Sequence, residues 1–160
     1  MASIDSSLQF THIYKCDDDT YVNFDNLIDF VIDHFDKNAI IGSKIGNIKN
    51  SVKYPQGGAG YLFNRKVFEK IGLSHYNISV NQQTYTIYES NPEDYAIGLA
   101  AQWEGVEILN FNYHFKFYPK PIQVDHIIAN KWLATNDKIS LHPVKNSSLM
   151  YEIDRNIELN

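Results

Sequence analysis

Three consecutive aspartates, Asp17, Asp18 and Asp19, follow a mostly apolar and aromatic run and belong to the segment YKCDDDTYVN. Adjacent carboxylates repel one another, and burial raises their pKa unless a cation neutralises them. Residues 8–16 are rich in β-branched and aromatic types and are short, which predicts a strand that ends at the acids. Mg²⁺ or Mn²⁺ would neutralise the triplet and bridge it to substrate phosphates. The alternative is a solvated acidic turn that caps the following helix.

An amphipathic helix is predicted directly after the acids. Asn23 is a suitable N-cap, and from there apolar residues recur at helical spacing: Phe24, Leu27, Ile28, Val31, Ile32 and Phe35. Aspartates lie mostly on the other side of this helix: Asp25, Asp29, Asp33 and Asp36. The order of strand, acids and helix places the carboxylates at the carboxyl end of a strand, where open α/β sheets gather ligand-binding groups.

Further strands and helices are predicted along the rest of the chain. Residues 39–48 can hold a strand, and residues 54–72 indicate a loop, a short strand and a helix that Asn64 caps and Gly72 ends. The buried face of that helix would contain Val67, Phe68 and Ile71. Residues 106–118 alternate well enough to be one strand, and residues 139–144 carry a further local signal. The mixture predicts an α/β fold.

A third helix is predicted over residues 91–105, where start signals are dense. Asn91 would be its N-cap, Pro92 would occupy the first helical position, and Glu93 and Asp94 would lie in the first turn, where the macrodipole favours negative charge. The small and apolar positions Ala96, Ile97, Ala100 and Ala101 would face a core.

Composition excludes several classes of protein. A chain of 160 residues with 44% hydrophobic residues is long enough for one globular domain. The net charge is -5 and Lys and Arg form no stripe, so nucleic-acid binding is not expected. A single cysteine rules out an internal disulfide framework. No stretch approaches the roughly 20 apolar residues of a membrane span, so the chain as given is expected to be soluble.

Three other motifs are candidates for a site. The small residues Gly57, Gly58, Ala59 and Gly60 allow close approach of the backbone to a ligand, although an ordinary loop has the same composition. Glu93 and Asp94 are good helix capping residues, and one of them could act as a general base. His142 is one of six histidines, and a lone histidine near a strand is more often structural than a ligand.

Two other site types were weighed for the acidic triplet. An EF-hand loop counted from Asp17 would need Gly and Glu where Val22 and Ile28 stand, so that pattern fails. A phosphatase with an aspartyl nucleophile resembles strand-DxDxT, and here Asp17 and Asp19 fit the frame while Tyr21 replaces the threonine. That alternative remains open. Carboxylates beside Cys16 should raise the pKa of its thiol, which argues against a thiolate nucleophile.

The order of the motifs YKCDDDTYVN, YPQGGAGYLFNRKVF, NPEDYAIG and SLHPVKNSSLMYE resembles the fringe and core-1 β-1,3-galactosyltransferase group of inverting glycosyltransferases. The resemblance implies that Asp19 and His142 bind Mn²⁺ (or Mg²⁺) and that Asp17 and Asp18 lie near the nucleotide of a UDP-sugar. It implies that residues 57–60 line the sugar and acceptor pocket together with Glu93. Asp94 would be the catalytic base that deprotonates a hydroxyl of a glycan or protein-linked sugar acceptor.

Only sixteen residues precede Asp17, whereas members of this group carry a nucleotide-binding α/β half before the motif. The resemblance therefore implies a single partial domain over residues 1–160, the C-terminal part of a GT-A fold with a mixed sheet and flanking helices. Loss of the first half would expose a hydrophobic sheet edge and face. Three explanations follow: a fragment, a partner chain or oligomer that supplies the missing half, or a noncatalytic remnant. The compartment would be the Golgi lumen by resemblance, or the cytoplasm for a complete chain.

Overall fold

A computed structural model describes residues 9–45, 52–72, 77–80, 83–86, 92–118, 124–133, 135 and 137–158. In these ranges the strands are β1 (His12–Lys15), β2 (Tyr21–Val22), β3 (Ala39–Gly42), β4 (Lys44–Ile45), β5 (Tyr54–Pro55), β6 (Tyr61–Asn64), β7 (Asn77–Val80), β8 (Gln83–Thr86), β9 (Glu107–Asn110), β10 (Phe115–Phe117) and β11 (Ser140–His142). The helices are α1 (Phe24–Asp33), α2 (Arg65–Gly72), α3 (Glu93–Trp103), α4 (His126–Leu133) and α5 (Ser147–Glu158).

The largest sheet has four strands in the order β1-β6-β3-β9. Strand β6 is antiparallel to both β1 and β3, whereas β3 and β9 are parallel. A three-stranded sheet has the order β10-β11-β2, with one parallel and one antiparallel pairing. The fold is therefore mixed α/β, with mixed sheets and flanking helices, as the sequence predicts at this level of detail.

Both faces of the four-stranded sheet carry a hydrophobic core, because successive strand residues point to opposite faces. On one face β6 and β3 pack against α2 and α3 through Phe63, Ile40, Val67, Ile71, Ile97 and Ala100. On the other face they pack against α1 and the second sheet through Leu62, Ile41, Leu27, Phe30, Phe115 and Ile139. A third cluster joins α4 and α5 to β11 through Trp132, Leu141, Leu149 and Ile153.

The predicted helix after the acids is present as α1, and Asn23 caps it by accepting a hydrogen bond from the backbone N–H of Asn26 at 3.1 Å. Its buried face differs from the predicted one. Leu27 and Phe30 are buried, whereas four of the six predicted apolar positions are at least half exposed: Phe24, Ile28, Ile32 and Phe35. The helix lies on the sheet through one edge of its apolar surface, and Phe30 replaces the outer positions as the core contact.

The capping of α2 is confirmed, since the side chain of Asn64 accepts from the backbone N–H of Val67 at 2.9 Å and the helix ends at Gly72. The predicted start of α3 is wrong by one residue. The helix begins at Glu93 with Pro92 as its cap, because Pro92 has the extended ψ of 141°. Asn91, the predicted cap, lies outside the described residues.

The single strand predicted over residues 106–118 is also wrong. It is divided into β9 and β10, which belong to different sheets. Between them the backbone N–H of Asn112 bonds to the side chain of Asn110, and the backbone N–H of Phe115 bonds to the carbonyl of Phe111. Asparagine side chains favour such turns by bonding nearby backbone groups. Among the described residues of the two other predicted strands, β1 covers His12–Lys15, and β3 and β4 divide residues 39–45. Residues 8 and 46–48 lie outside the described residues.

Strands β1 and β9 lie at the two ends of the four-stranded sheet, so in the described part of the chain the outer edge of β1 has no partner strand. None of the helices in that part is both long and apolar enough to cross a membrane.

Candidate metal centre and its surroundings

The antiparallel pairing of β2 with β11 brings distant parts of the chain together. Tyr21 lies opposite Leu141 in the register, so the acidic turn before β2 faces the end of β11. The backbone N–H of Val144 then donates to the carbonyl of Asp19 at 2.7 Å. This pairing fixes the acids beside His142.

Asp17, Asp19 and His142 each offer a potential ligand atom, and these three atoms lie within 4.8 Å of one another. The closest measured approach joins Nδ1 of His142 to Oδ1 of Asp19 at 3.1 Å. Asp18 is exposed and lies outside this group. Two carboxylates and an imidazole fit a divalent transition metal, and the nitrogen ligand suits Mn²⁺ better than Mg²⁺, which prefers oxygen.

His142 is nearly buried, and its ring stacks on Phe117 with centroids 5.5 Å apart and planes 10° apart. Burial lowers the pKa of His142, and the neighbouring Asp19 and Asp17 oppose that shift without overcoming it. The imidazole is therefore neutral near pH 7. A neutral ring has a lone pair to offer a cation, which a protonated ring does not.

Thr20 connects this histidine to the glycine loop. Its hydroxyl donates to the carbonyl of Gly58 at 2.6 Å and lies 3.2 Å from Nδ1 of His142. Because the hydroxyl proton is used on Gly58, its oxygen can only accept from His142, which assigns the ring proton to Nδ1 in the metal-free protein. Metal binding through Nδ1 would require the other tautomer.

Lys15 joins the acids to the start of α3. Its Nζ lies 2.9 Å from Oδ1 of Asp17 and 2.9 Å from Oε2 of Glu93, and it donates to the carbonyl of Gly57 at 3.4 Å. Burial lowers the pKa of Lys15, but the hydrogen bonds and charges of Glu93 and Asp17 raise it overall. The side chain therefore stays cationic and bridges two predicted site regions.

The predicted loop of Gly57, Gly58, Ala59 and Gly60 is buried throughout. A Cβ on Gly58 would overlap the ring of His142, and a Cβ on Gly60 would overlap Tyr14 at a φ of 89°. A Cβ on Gly57 would lie 3.2 Å from Nζ of Lys15. Glycine at these positions therefore leaves room for the side chains of His142, Tyr14 and Lys15.

Glu93 and Asp94 have different surroundings at the start of α3. The carboxylate of Glu93 accepts from the hydroxyl of Tyr61 and pairs with Lys15. That of Asp94 accepts from two backbone N–H groups, of Tyr95 at 2.8 Å and of Gly57 at 3.4 Å. Asp94 therefore lacks the cationic partner that Glu93 has among the described residues.

An open cleft of about 620 Å³ lies beside the acids. Its lining residues are Cys16, Asp17, Asp18, Asp19, Phe117, Tyr118, His142, Pro143 and Lys145. As far as the described residues go, neither the loop at 57–60 nor Glu93 nor Asp94 lines it. Gly57 lies beside Asp94 and Gly58 beside the ring of His142, so the glycine loop connects the predicted base with the predicted metal ligand.

Sequence reasoning missed Lys15, Thr20 and Tyr61, because each acts through residues far away in the chain. The only local signal was proximity in the chain: Thr20 directly follows the acids and Lys15 stands two residues before them. The expectation for Cys16 is confirmed in direction: burial raises the pKa of its thiol, and Asp17 adds to this while Lys15 opposes it. The main cause is burial, where the sequence had pointed to the carboxylates.

No protein-family model matches this chain, and no curated protein is significantly similar to it.

Proposed function

We propose that this chain is a metal- and acceptor-binding domain of an inverting glycosyltransferase of β-1,3 type. It would move a hexose from a UDP-sugar to a hydroxyl of a glycan or protein-linked sugar. The observation that carries the proposal is the convergence of Asp17, Asp19 and His142 beside an open cleft. The resemblance in motif order adds the substrate class.

The donor side of the site would hold Mn²⁺. Asp19 and His142 supply a carboxylate and an imidazole from opposite ends of the chain, and Asp17 adds a second carboxylate. A bound divalent cation supplies Lewis acidity that neutralises the charge developing on the leaving diphosphate. Phe117 restricts rotation of the imidazole by stacking on it.

On the acceptor side Asp94 is a better candidate for the base than Glu93. Lys15 pairs with one carboxylate oxygen of Glu93 and Tyr61 donates to the other, so both oxygens already have a partner. Asp94 accepts only backbone N–H groups in the described structure and keeps further lone pairs for an acceptor hydroxyl. A single in-line displacement would then invert the anomeric carbon.

The position of Tyr21, which replaces the threonine of the phosphatase motif, argues against the phosphatase alternative. Tyr21 stands at that position, is buried, and donates its hydroxyl to Asp154 at 3.0 Å, so it faces away from a phosphoryl group at Asp17. In the noncatalytic alternative the same residues would bind the metal, but the protein would not transfer a sugar.

Manganese binding is the first test, measured by loss of the electron paramagnetic resonance signal of free Mn²⁺. Asp19→Asn should weaken binding by about tenfold or more, whereas Asp29→Asn on the exposed side of α1 should not. Equal Mn²⁺ affinity in the wild type and Asp19→Asn would rule out this metal site and the proposed function with it.

The second test is calorimetric titration of UDP with and without Mn²⁺, followed by assays of UDP-sugar hydrolysis and transfer. We expect UDP binding that requires Mn²⁺, with turnover lost in Asp94→Asn while binding remains. Metal-dependent UDP binding with no turnover in the wild type would favour the noncatalytic alternative. Phosphatase activity that Asp17→Asn abolishes, with UDP-sugars inert, would favour the hydrolase.

A further inference from the structure

Helix α1 and the turn after it carry an apolar flank that the described part of the chain leaves uncovered, formed by Phe24, Ile28, Ile32 and Phe35. These side chains are 68%, 56%, 65% and 50% exposed. At 100° per residue the helical part of this flank lies about a third of a turn from the buried Leu27 and Phe30. Large apolar side chains grouped on one surface, unlike single exposed ones, indicate an interaction site.

A cavity of about 280 Å³ adjoins this flank at the start of β1. Phe35 belongs to both, since it ends the flank and lines the cavity with Phe10, His12, Asn64 and Arg65. The ring of Phe35 lies 5.1 Å from that of His12, and the guanidinium of Arg65 lies 5.4 Å from the ring of Phe10. Phe10, His12 and Phe35 form the aromatic part of the lining, and the remaining residues are polar or charged: Thr11, Asp36, Asn38, Asn64, Arg65, Lys66 and Glu69.

An unsatisfied acceptor lies in this pocket. Nδ1 of His12 is buried and has no hydrogen-bond partner in the part of the chain that the structure describes. Burial lowers the pKa of His12, while a hydrogen bond to the backbone of Phe35 opposes the shift. We assign the ring proton to Nε2, which leaves a lone pair on Nδ1. A buried acceptor without a donor costs about 1–3 kcal/mol, which a partner with an N–H or O–H would remove.

The charged residues near the apolar flank favour some binding partners over others. Three exposed aspartates, Asp25, Asp29 and Asp33, lie about a further quarter turn round α1, and the exposed Asp36 follows in the turn after the helix. In a second copy of this chain packed flank to flank, these aspartates would meet like charges. Anionic lipids would be repelled in the same way. A partner with Lys or Arg beside its apolar residues would be attracted.

We propose that the apolar flank of α1 and the cavity beside His12 bind a segment of another protein. This segment inserts a Tyr or Trp side chain between Phe10 and Phe35 and places basic residues opposite the aspartates. The anchor donates its O–H or N–H to Nδ1 of His12. Interfaces commonly gain most of their energy from such an amphipathic aromatic anchor in a pocket.

The surface is separate from the candidate metal centre and does not depend on the proposed function. His12 begins β1 and Lys15 ends it, so the two sites lie at opposite ends of one strand, about 10 Å apart along it. A catalytic site at the acids would leave this surface available.

The pocket is tested first with p-cresol and skatole, the side-chain analogues of Tyr and Trp, and with toluene, which has no donor. Chemical-shift titrations should show the two donor probes binding several-fold more tightly than toluene. His12→Leu should remove that preference without unfolding the chain, as its amide spectrum would show. Equal binding of all three probes to the wild type, or no binding of any of them, would contradict the proposal that the pocket binds a Tyr or Trp side chain.

The whole surface is tested with a labelled synthetic helix of leucine and lysine that carries one tryptophan, measured by fluorescence anisotropy. Replacing its tryptophan by alanine, or its lysines by glutamates, should weaken binding by about tenfold or more. The double variant Ile28→Ser, Ile32→Ser should do the same, whereas Ile127→Ser, an exposed isoleucine on α4, should not.

Three results would overturn the proposal. One is peptide binding that persists in the Ile28→Ser, Ile32→Ser variant. Another is a dimer in sedimentation equilibrium that this variant dissociates, which would identify a second copy as the occupant. The third is binding to phosphatidylglycerol vesicles that the same variant abolishes.

Discussion

Nδ1 of His142 lies between two residues of the acidic turn, 3.1 Å from Oδ1 of Asp19 and 3.2 Å from the hydroxyl of Thr20. The imidazole comes from β11 and the turn precedes β2, so their contact depends on pairing between the two ends of the chain. Binding of a cation at this position therefore requires the long-range pairing of β2 with β11 as well as the ligand side chains.

Thr20 is expected to compete with a cation for His142. Its hydroxyl lies 3.2 Å from Nδ1, the ring nitrogen beside Asp19, and accepts the proton that a cation at Nδ1 would displace. Thr20→Val removes this acceptor, so Mn²⁺ affinity should equal that of the wild type or rise. Thr20→Ser keeps the hydroxyl and should bind Mn²⁺ like the wild type. A fall of about tenfold or more in Thr20→Val would show instead that the cation is bound through Nε2 while Thr20 holds Nδ1–H.

Stability of the metal-free protein should depend on pH through two histidines. Burial lowers the pKa of His142 and of His12 below the usual 6.5, so near pH 6 the folded chain binds fewer protons than the unfolded chain. Their contribution is therefore full above about pH 6.5 and is lost as the pH falls towards the folded-state values. The free energy of unfolding, measured with urea at pH values from about 7.5 to about 5, would show this loss.

The double variant His12→Asn, His142→Asn should show a flatter dependence of the unfolding free energy on pH over the same range. An unchanged slope would mean that other groups set the pH dependence.

The parts of the fold that the sequence predicts are those decided by local chemistry. The caps at Asn23 and Asn64 are side-chain bonds to backbone groups three residues away, so a short segment contains all that is needed. Which side of α1 is buried depends instead on where the sheet lies. The division of residues 106–118 likewise depends on two sheets competing for one segment.

The candidate site divides in the same way. Asp17, Asp19 and Asp94 are visible as clustered or capping acids, because their residue type carries the signal. The role of Lys15 is not visible, since it requires knowing that Gly57 and Glu93 approach the end of β1. A lysine two residues before an aspartate has no distinctive spacing.

Replacing Lys15 should destabilise the protein more than breaking an ordinary surface ion pair. Lys15→Met leaves Asp17 and Glu93 without the cation that bridges them, and both pairs are only partly exposed. We expect a loss of about 1 kcal/mol in the free energy of unfolding. The matched control is Glu69→Gln, which breaks the exposed pair with Arg65 while keeping the arginine on Phe10, and should cost about 0.5 kcal/mol or less. Equal losses in urea unfolding would show that the bridge adds nothing.

The last prediction separates two adjacent glycines by what their missing Cβ would meet. A Cβ on Gly58 overlaps the ring of His142, which Phe117 holds in place, so the ring or the loop must move. We expect Gly58→Ala to lose about 1–3 kcal/mol of stability and most of its Mn²⁺ affinity. A Cβ on Gly57 meets the flexible end of Lys15 at 3.2 Å, which can shift, so Gly57→Ala should keep Mn²⁺ binding. If both variants bound Mn²⁺ like the wild type, the ring of His142 would not be the ligand, because its displacement would leave the metal unaffected.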